Sequence, residues 1–370
     1  MNHALKGSVG VLVAESEGPL PFAEASFCRK LCRIGERKGM CVYVFCLPSI
    51  SEGNANGIPG YMFERGIWVR KWLPRPDIIY DRCLTHDRKG QLRKHRLLSQ
   101  LADKHPYIYL TRGLAGKWAV YQALRKCRDL APYLPETALY EGPLRLAEWL
   151  EAHDKEVFLK PRNGTHGRRT LYVKLADSGE QIGIIGRSGS NTLFKRRFCS
   201  RKAGLEWIDK FIGARPFLIQ PYLQLNNAQG EPFDIRVLMQ KNEKGEWSLT
   251  GMAVRVGPKH SLTSNLHGGG TAHKALPYLI RELGETAGKS AVQTIRHLSL
   301  RIPEYLETCF GRLAELGLDF GVDREGQVWI LEVNSKPGRT SFFRIGDPIS
   351  ARKSIENPIS YARYLLLSKP

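Results

Sequence analysis

Two acids and an amide near the end of the chain have the types and spacing of metal ligands. In the segment GLDFGVDREGQVWILEVNSKPG, residues 317–338, the stretches 318–322 and 328–333 have strand composition. Asp323-Arg324-Glu325-Gly326 has the composition of a turn between them. Strand side chains alternate faces, so Glu332 and Asn334 share one face while Trp329, Leu331 and Val333 take the other, apolar one. Hairpin pairing brings Asp319 beside Glu332. Two carboxylates that close repel each other. A hard divalent cation removes the repulsion, and Mg²⁺ accepts oxygen ligands, keeps several waters and is commonly shared with phosphates. Asp319, Glu332 and Asn334 are therefore the candidate metal ligands; the plain alternative is an ordinary exposed hairpin. Asp323 is read as a turn residue.

A second group could hold an anion. Lys160 closes an apolar run, Phe158-Leu159-Lys160-Pro161, and Asn163-Gly164-Thr165-His166-Gly167-Arg168-Arg169 follows it. Glycines such as Gly164 and Gly167 let a loop turn its N–H groups toward one point. The loop is neither a Walker A motif nor a G-x-G-x-x-G fingerprint. His166 reads as a loop residue rather than a base. In 217–223 a strand runs into Gln220-Pro221-Tyr222, a hinge whose backbone could read an adenine edge. Asp234 and Arg236 share a strand face, either as part of a site or as a surface ion pair. Arg255 and Asn265 could offset charge on a transferring phosphoryl group. Gly268-Gly269-Gly270 marks a flap or a close backbone approach.

These residues need a scaffold. The segments 8–14, 41–47, 68–72 and 77–80 read as strands and 22–39 as a helix, with a loop at 51–60. That alternation predicts a small α/β domain with a parallel sheet. A break at 105–115 precedes Leu114, Trp118, Tyr121 and Leu124, which form a helical face. Strands are expected at 157–160, 170–174, 217–220, 235–240 and 247–256, and a helix through Leu306, Cys309, Phe310 and Leu313.

Composition bounds the function. The 370 residues are 42% hydrophobic and 25% charged, which suits two or three globular domains. No run is long and apolar enough for a membrane span. The formal net charge of +20 points to a polyanionic partner or to a merely basic surface. The basic stretch 187–202 reads as a solvated loop or helix edge, with the wall of an anion-binding cleft as the alternative. Eight cysteines without a C-x-x-C pair or zinc spacing suit a reducing compartment. Cys28 and Cys32 fall on the packed side of an amphipathic helix. The first residues make a poor signal peptide, so a cytoplasmic location is expected.

The order of these motifs resembles the ATP-grasp superfamily: Lys117 leading a helix, Lys160 with its glycine loop, Q-P-Y-L, D-I-R, S-N-L-H-G-G-G and D…L-E-V-N. The likeness spans roughly residues 112–345 and is nearest to the glutamate-adding, ribosomal-protein-modifying and glutathione-synthase-like branches. Pro21-Phe22 before a Cys-containing helix, Cys41–Phe45 and Ile78-Ile79-Tyr80-Asp81-Arg82 are similar to the YheC/YheD family of spore-coat-associated ATP-grasp proteins. The resemblance implies an N-terminal α/β domain (1–110), a small lobe (111–215) and a large lobe (216–370), with ATP between two antiparallel sheets. It implies that Lys117 and Lys160 bind phosphates, with Gly164 and Gly167 in the loop. Gln220, Pro221 and Tyr222 would sit at the adenine hinge, and Asp234 beside the nucleotide. Arg255 and Asn265 would face the transferring phosphoryl group, and Asp319, Glu332 and Asn334 would hold one or two Mg²⁺. Two departures stand out: Pro221 occupies a position often held by glutamate, and Thr263 one held by arginine in the ribosomal-protein-modifying branch.

The implied activity is a Mg²⁺- and ATP-dependent carboxylate–amine (or thiol) ligase working through an acyl phosphate. Its substrates would be small-molecule or peptide carboxylates and amines, with spore-coat proteins as possible partners. The alternatives are a non-catalytic ATP-binding coat protein and a polyanion-binding protein. Against nucleic acid, no RRM, KH, zinc-finger or helix-turn-helix signature is present.

Overall fold

The computed structural model describes residues 7–54, 56–85, 88–164, 167–259, 261, 264 and 269–368. The first unit runs β1 (Ser8–Leu12), α1 (Ala25–Arg37), β2 (Cys41–Phe45), α2 (Leu47–Glu52), β3 (Ile58–Glu64), β4 (Ile67–Leu73), β5 (Ile78–Asp81), α3 (Arg88–Lys104) and β6 (Ile108–Tyr109). Its sheet has the order β4-β3-β2-β1-β5-β6. The four strands β2-β1-β5-β6 are parallel, but β3 and β4 join antiparallel, so the sheet is mixed rather than parallel. Arg65-Gly66, both at positive φ, makes the tight β3–β4 turn. The expected loop at 51–60 holds the end of α2 and the start of β3. Cys28 and Cys32 are buried on the packed side of α1, and all eight cysteines are free thiols.

The second unit contains α4 (Lys117–Arg125), β7 (Ala138–Leu139), α5 (Pro143–Ala152), β8 (Glu156–Pro161), β9 (Leu171–Leu175), β10 (Ile182–Arg187), β11 (Leu193–Phe198), α6 (Arg201–Ile212) and β12 (Phe217–Pro221). Its antiparallel sheet, β11-β10-β9-β8-β12-β7, packs on α5 and α6 through Trp149, Leu159, Val173 and Ile208. The basic stretch 187–202 runs from the end of β10 through a turn at 188–192 and the edge strand β11 into the first turn of α6, so the expected loop and helix edge flank a strand whose charges blunt the sheet edge.

The third unit runs β13 (Phe233–Lys241), β14 (Trp247–Val256), β15 (Thr271–Lys274), α7 (Ala275–Leu283), α8 (Glu285–Phe310), β16 (Glu315–Val322), β17 (Val328–Asn334), α9 (Thr340–Arg344) and α10 (Pro348–Leu367). The expected helix at 306–313 is the end of the 26-residue α8; it stops at Phe310, with Gly311 at positive φ, and Leu313 lies beyond it. The antiparallel sheet order is β15-β14-β13-β16-β17. One sheet face packs on α4, α7 and α8 through Ile235, Val237, Leu318 and Phe320. The opposite face of β13, β14 and β16 carries the charged residues. Helix α10 returns to the first unit and buries Ile355, Ile359 and Tyr361 against it.

A buried ionic knot ties the first sheet to the third. Glu315, 1% exposed, accepts hydrogen bonds from Tyr80 Oη, Arg82 Nη1 (3.4 Å), Gln240 Nε2 (3.0 Å) and Arg339 Nη2. Arg82 also pairs with Glu24 at 2.9 Å. Removing one partner from such a group leaves charge buried and uncompensated. Glu315→Ala should therefore lower unfolding stability by roughly 3–5 kcal/mol in chemical denaturation. A loss below about 1 kcal/mol, the level of a surface pair, would contradict this role.

Candidate active site

A cavity of about 800 Å³ lies between the second and third sheets. Twelve residues singled out from the sequence line it: Lys117, Lys160, Gly164, Gly167, Gln220, Pro221, Tyr222, Asp234, Arg255, Asp319, Glu332 and Asn334. Asn265, His166 and Thr263 lie outside the described residues.

The third sheet supplies the acidic wall through strand alternation. On β16, Leu316, Leu318 and Phe320 point into the core, so Asp319 points into the cavity. On β17 the alternation is interrupted. Asp319 pairs with Glu332 but Phe320 pairs with Ile330, so Leu331 is an extra residue, a β-bulge. The bulge changes the expected faces. Val328 and Ile330 enter the core with Val333, while Leu331, Glu332 and Asn334 line the cavity. Trp329 does not join the core: its indole N–H donates to Asp323 (2.8 Å), which also accepts the backbone N–H of Gln327 and so closes the turn.

Arginines knit this wall together. Arg236 donates from Nε and Nη2 to the two oxygens of Asp319, at 2.5 and 3.0 Å. Arg255 donates both Nε and Nη2 to Asp234, each at 2.6 Å, and its Nη2 lies 3.0 Å from Asp319. Ser264 Oγ also donates to Asp234. Asp234 and Arg236 do share a face, but each pairs with another strand rather than with the other, and the pairs are buried rather than superficial. Burial alone would raise the Asp319 pKa, but the charges of Arg236 and Arg255 outweigh it and hold the carboxyl below its usual range. Asp319 is thus kept ionised.

Two lysines join the acids in the cavity. Lys160 extends from the end of β8. Lys117 is the first residue of α4, and its Nζ lies 3.5 Å from Glu332 Oε1. The helix start abuts the glycine loop: a Cβ on Gly116 would come within 2.9 Å of Asn163 Oδ1. Gly167 has φ +68°, a conformation that favours glycine. Lys160 sits at the cleft floor, where desolvation and the neighbouring Lys117 charge pull its pKa down to about 8. At the far wall Gln220 is buried and donates to Thr137 Oγ1 (2.7 Å), so its side chain braces the hinge.

The donor set suits a hard cation. Asp319, Glu332 and Asn334 stand together on one wall with the Asp319–Glu332 pair in register, and a cation there would share Asp319 with Arg236, Arg255 and the Asn334 amide N–H (3.4 Å), which already donate to its oxygens. Among the described residues no group of three or more His, Cys, Asp or Glu side chains could hold a metal ion. Two carboxylates and an amide would leave positions for phosphate oxygens and water.

A family model described as YheC/D-like ATP-grasp matches residues 107–365. The chain belongs to the YheC/D-like ATP-grasp family. Endospore coat-associated protein YheD of Bacillus subtilis (strain 168) is 30% identical over 361 residues, covering 93% of this chain and 75% of YheD. Endospore coat-associated protein YheC of the same organism is 31% identical over 306 residues, 82% of each chain. The crystal structure of D-cycloserine synthetase DcsG superposes with a TM-score of 0.55 at 11% identity, covering 97% of this chain and 100% of that one, a likeness of fold. The ATP-grasp fold expected from the motif order is the fold found.

The YheC/D-like fold also brings to the cavity Arg236, read beforehand only as part of a site or a surface pair, and two lysines that sequence reasoning passed over. Arg236 was legible as a face-mate of Asp234, but its true partner comes from strand pairing 83 residues away. Lys94 and Lys336 carried no distinguishing signal.

The Lys160 pKa gives a proton-linkage test. Above pH 8 an increasing fraction is neutral; phosphates beside it would favour the charged form and raise its pKa. Nucleotide binding near pH 8 should therefore take up about half a proton, and affinity should fall as pH rises further. Calorimetry in two buffers of different ionisation enthalpy reads the uptake, and Lys160→Met should abolish it. Identical enthalpies in both buffers for the parent chain would contradict the assignment.

Proposed function

We propose that this YheC/D-like ATP-grasp protein is a Mg²⁺- and ATP-dependent ligase that joins a carboxylate to an amine or thiol. The observation that carries the proposal is the meeting, in one cavity, of two lysines with a register-paired Asp319–Glu332 wall. Lys117 and Lys160 approach the phosphates from two elements, with the start of α4 and the glycine loop adding backbone N–H groups. The backbone at Pro221 and Tyr222 flanks the base, and the phenol of Tyr222 rests on Tyr172, with ring centroids 4.3 Å apart. Asp319, Glu332 and Asn334 would hold Mg²⁺, whose contribution when bound is to offset charge on the phosphate oxygens. Asp234 and Arg236 keep Arg255 and Asp319 fixed, so little reorganisation accompanies the developing charge.

The substrate carboxylate oxygen attacks the γ-phosphorus and ADP leaves. The amine then attacks the acyl carbon, loses a proton, and phosphate leaves. The residues contribute positioning and electrostatics rather than a covalent nucleophile. Relatives named as endospore coat-associated support work on components of a spore coat.

Phosphate release from Mg²⁺–ATP, with hydroxylamine as acceptor and a panel of amino acids and short peptides as carboxylates, tests this. Lys160→Ala and Glu332→Gln should each reduce turnover about a hundredfold or more without lowering the melting temperature materially. Undiminished turnover in both variants, or none by the parent chain, would contradict the ligase reading.

A further inference from the structure

The nucleotide site does not use the end of the cavity nearest the first sheet. There Lys94 of α3 and Lys336, just past β17, converge on the same two acceptors. Lys94 Nζ lies 2.9 Å from Asp81 Oδ2 and 3.2 Å from the Cys83 carbonyl. Lys336 Nζ lies 2.8 Å from Asp81 Oδ1 and 2.6 Å from the same carbonyl. The side chains of Lys94, Lys336 and Asp81 are 18%, 15% and 12% exposed. Both lysines and Cys83 line the cavity.

Two ammonium groups share one carboxylate, so the cluster holds a positive charge in excess. Each ammonium has three N–H donors and spends two on Asp81 and the Cys83 carbonyl. Placing like charges together away from water is unfavourable unless an anion joins them. The arrangement therefore has the form of an anion subsite completed by a ligand. Helix α3 also exposes Lys89, Arg93, His95 and Arg96, and it carries no acid before Asp103.

We propose that Lys94 and Lys336, held by Asp81, seat a carboxylate of an acidic peptide substrate whose further acids run along α3. The proposal rests on the ligase reading for its use of the word substrate, but the binding is measurable without nucleotide. A free amino acid would satisfy the two lysines alone; the exposed basic residues of α3 favour a longer acidic chain.

The test is fluorescence anisotropy of labelled hexaglutamate with the full chain, with ADP–Mg²⁺ binding measured in parallel. Lys94→Gln and Lys336→Gln should each weaken hexaglutamate by about tenfold. Asp81→Asn, which removes the counter-charge but keeps an acceptor, should tighten it by about threefold. A merely structural cluster would lose affinity in all three variants, or change in none, and either result would overturn the proposal. Inorganic phosphate or L-glutamate competing as well as unlabelled hexaglutamate would overturn the peptide assignment. Bound hexaglutamate with no ADP–Mg²⁺ binding would sink the ligase reading and leave the subsite standing. Bound ADP–Mg²⁺ with no hexaglutamate binding would sink the subsite alone.

Discussion

One face of one strand governs the molecule. On β16, Leu316, Leu318, Phe320 and Val322 fill the core, which forces Glu315, Gly317, Asp319 and Gly321 to the opposite side. Two buried acids therefore stand four residues apart on the same face. Each is met by two guanidinium groups: Glu315 by Arg82 and Arg339, Asp319 by Arg236 and Arg255. The first set ties the N-terminal sheet to the third sheet; the second fixes the cleft wall. Gly317 between them lets Pro337 approach, since a Cβ there would fall 2.8 Å from the proline ring. That approach sets the path of the segment carrying Lys336.

The same alternation explains how a site built from distant segments acquires a fixed geometry. Arg236 reaches Asp319 because β13 and β16 pair Arg236 directly with Asp319, and Arg255 reaches Asp234 through a matching pair on β14. Lys117 comes from a helix anchored in the third unit's core, although Lys160 belongs to the second sheet. The acidic wall of the cleft is thus braced by ion pairs that cross three adjacent strands, β14, β13 and β16. Preorganised charge of this kind is what phosphoryl transfer asks of a protein.

Much of this was legible in the sequence where local pattern suffices. The apolar runs gave β1, β2, β12, β14 and the second hairpin strand within a residue or two, while β16 begins three residues before the expected 318. Asp319 and Glu332 were legible as near neighbours on paired strands, but a regular hairpin about the 323–326 turn would set Asp319 opposite Ile330; the pairing of Val322 with Val328 and the bulge at Leu331 together bring Glu332 opposite it. What failed needed tertiary information. The bulge at Leu331 cannot be read from alternation, and it moved Leu331 to the cleft and Ile330 to the core. β3 was hidden by Gly57, Pro59 and Gly60, whose turn-like composition masks a strand end that packs closely on its neighbours. The helices α2, α3, α5, α6, α7, α9 and α10 were not expected from local pattern, and the knot around Glu315 joins residues up to 259 positions apart.

The most direct measurement is calorimetric titration of ADP into the purified chain, once with Mg²⁺ and once with EDTA. The charged face of β16 and β17 should bind one nucleotide, at least about tenfold more tightly with Mg²⁺, because Asp319 and Glu332 need the cation between them and the phosphates. Equal affinity with and without Mg²⁺, or no binding in either condition, would contradict a metal–nucleotide site on this wall.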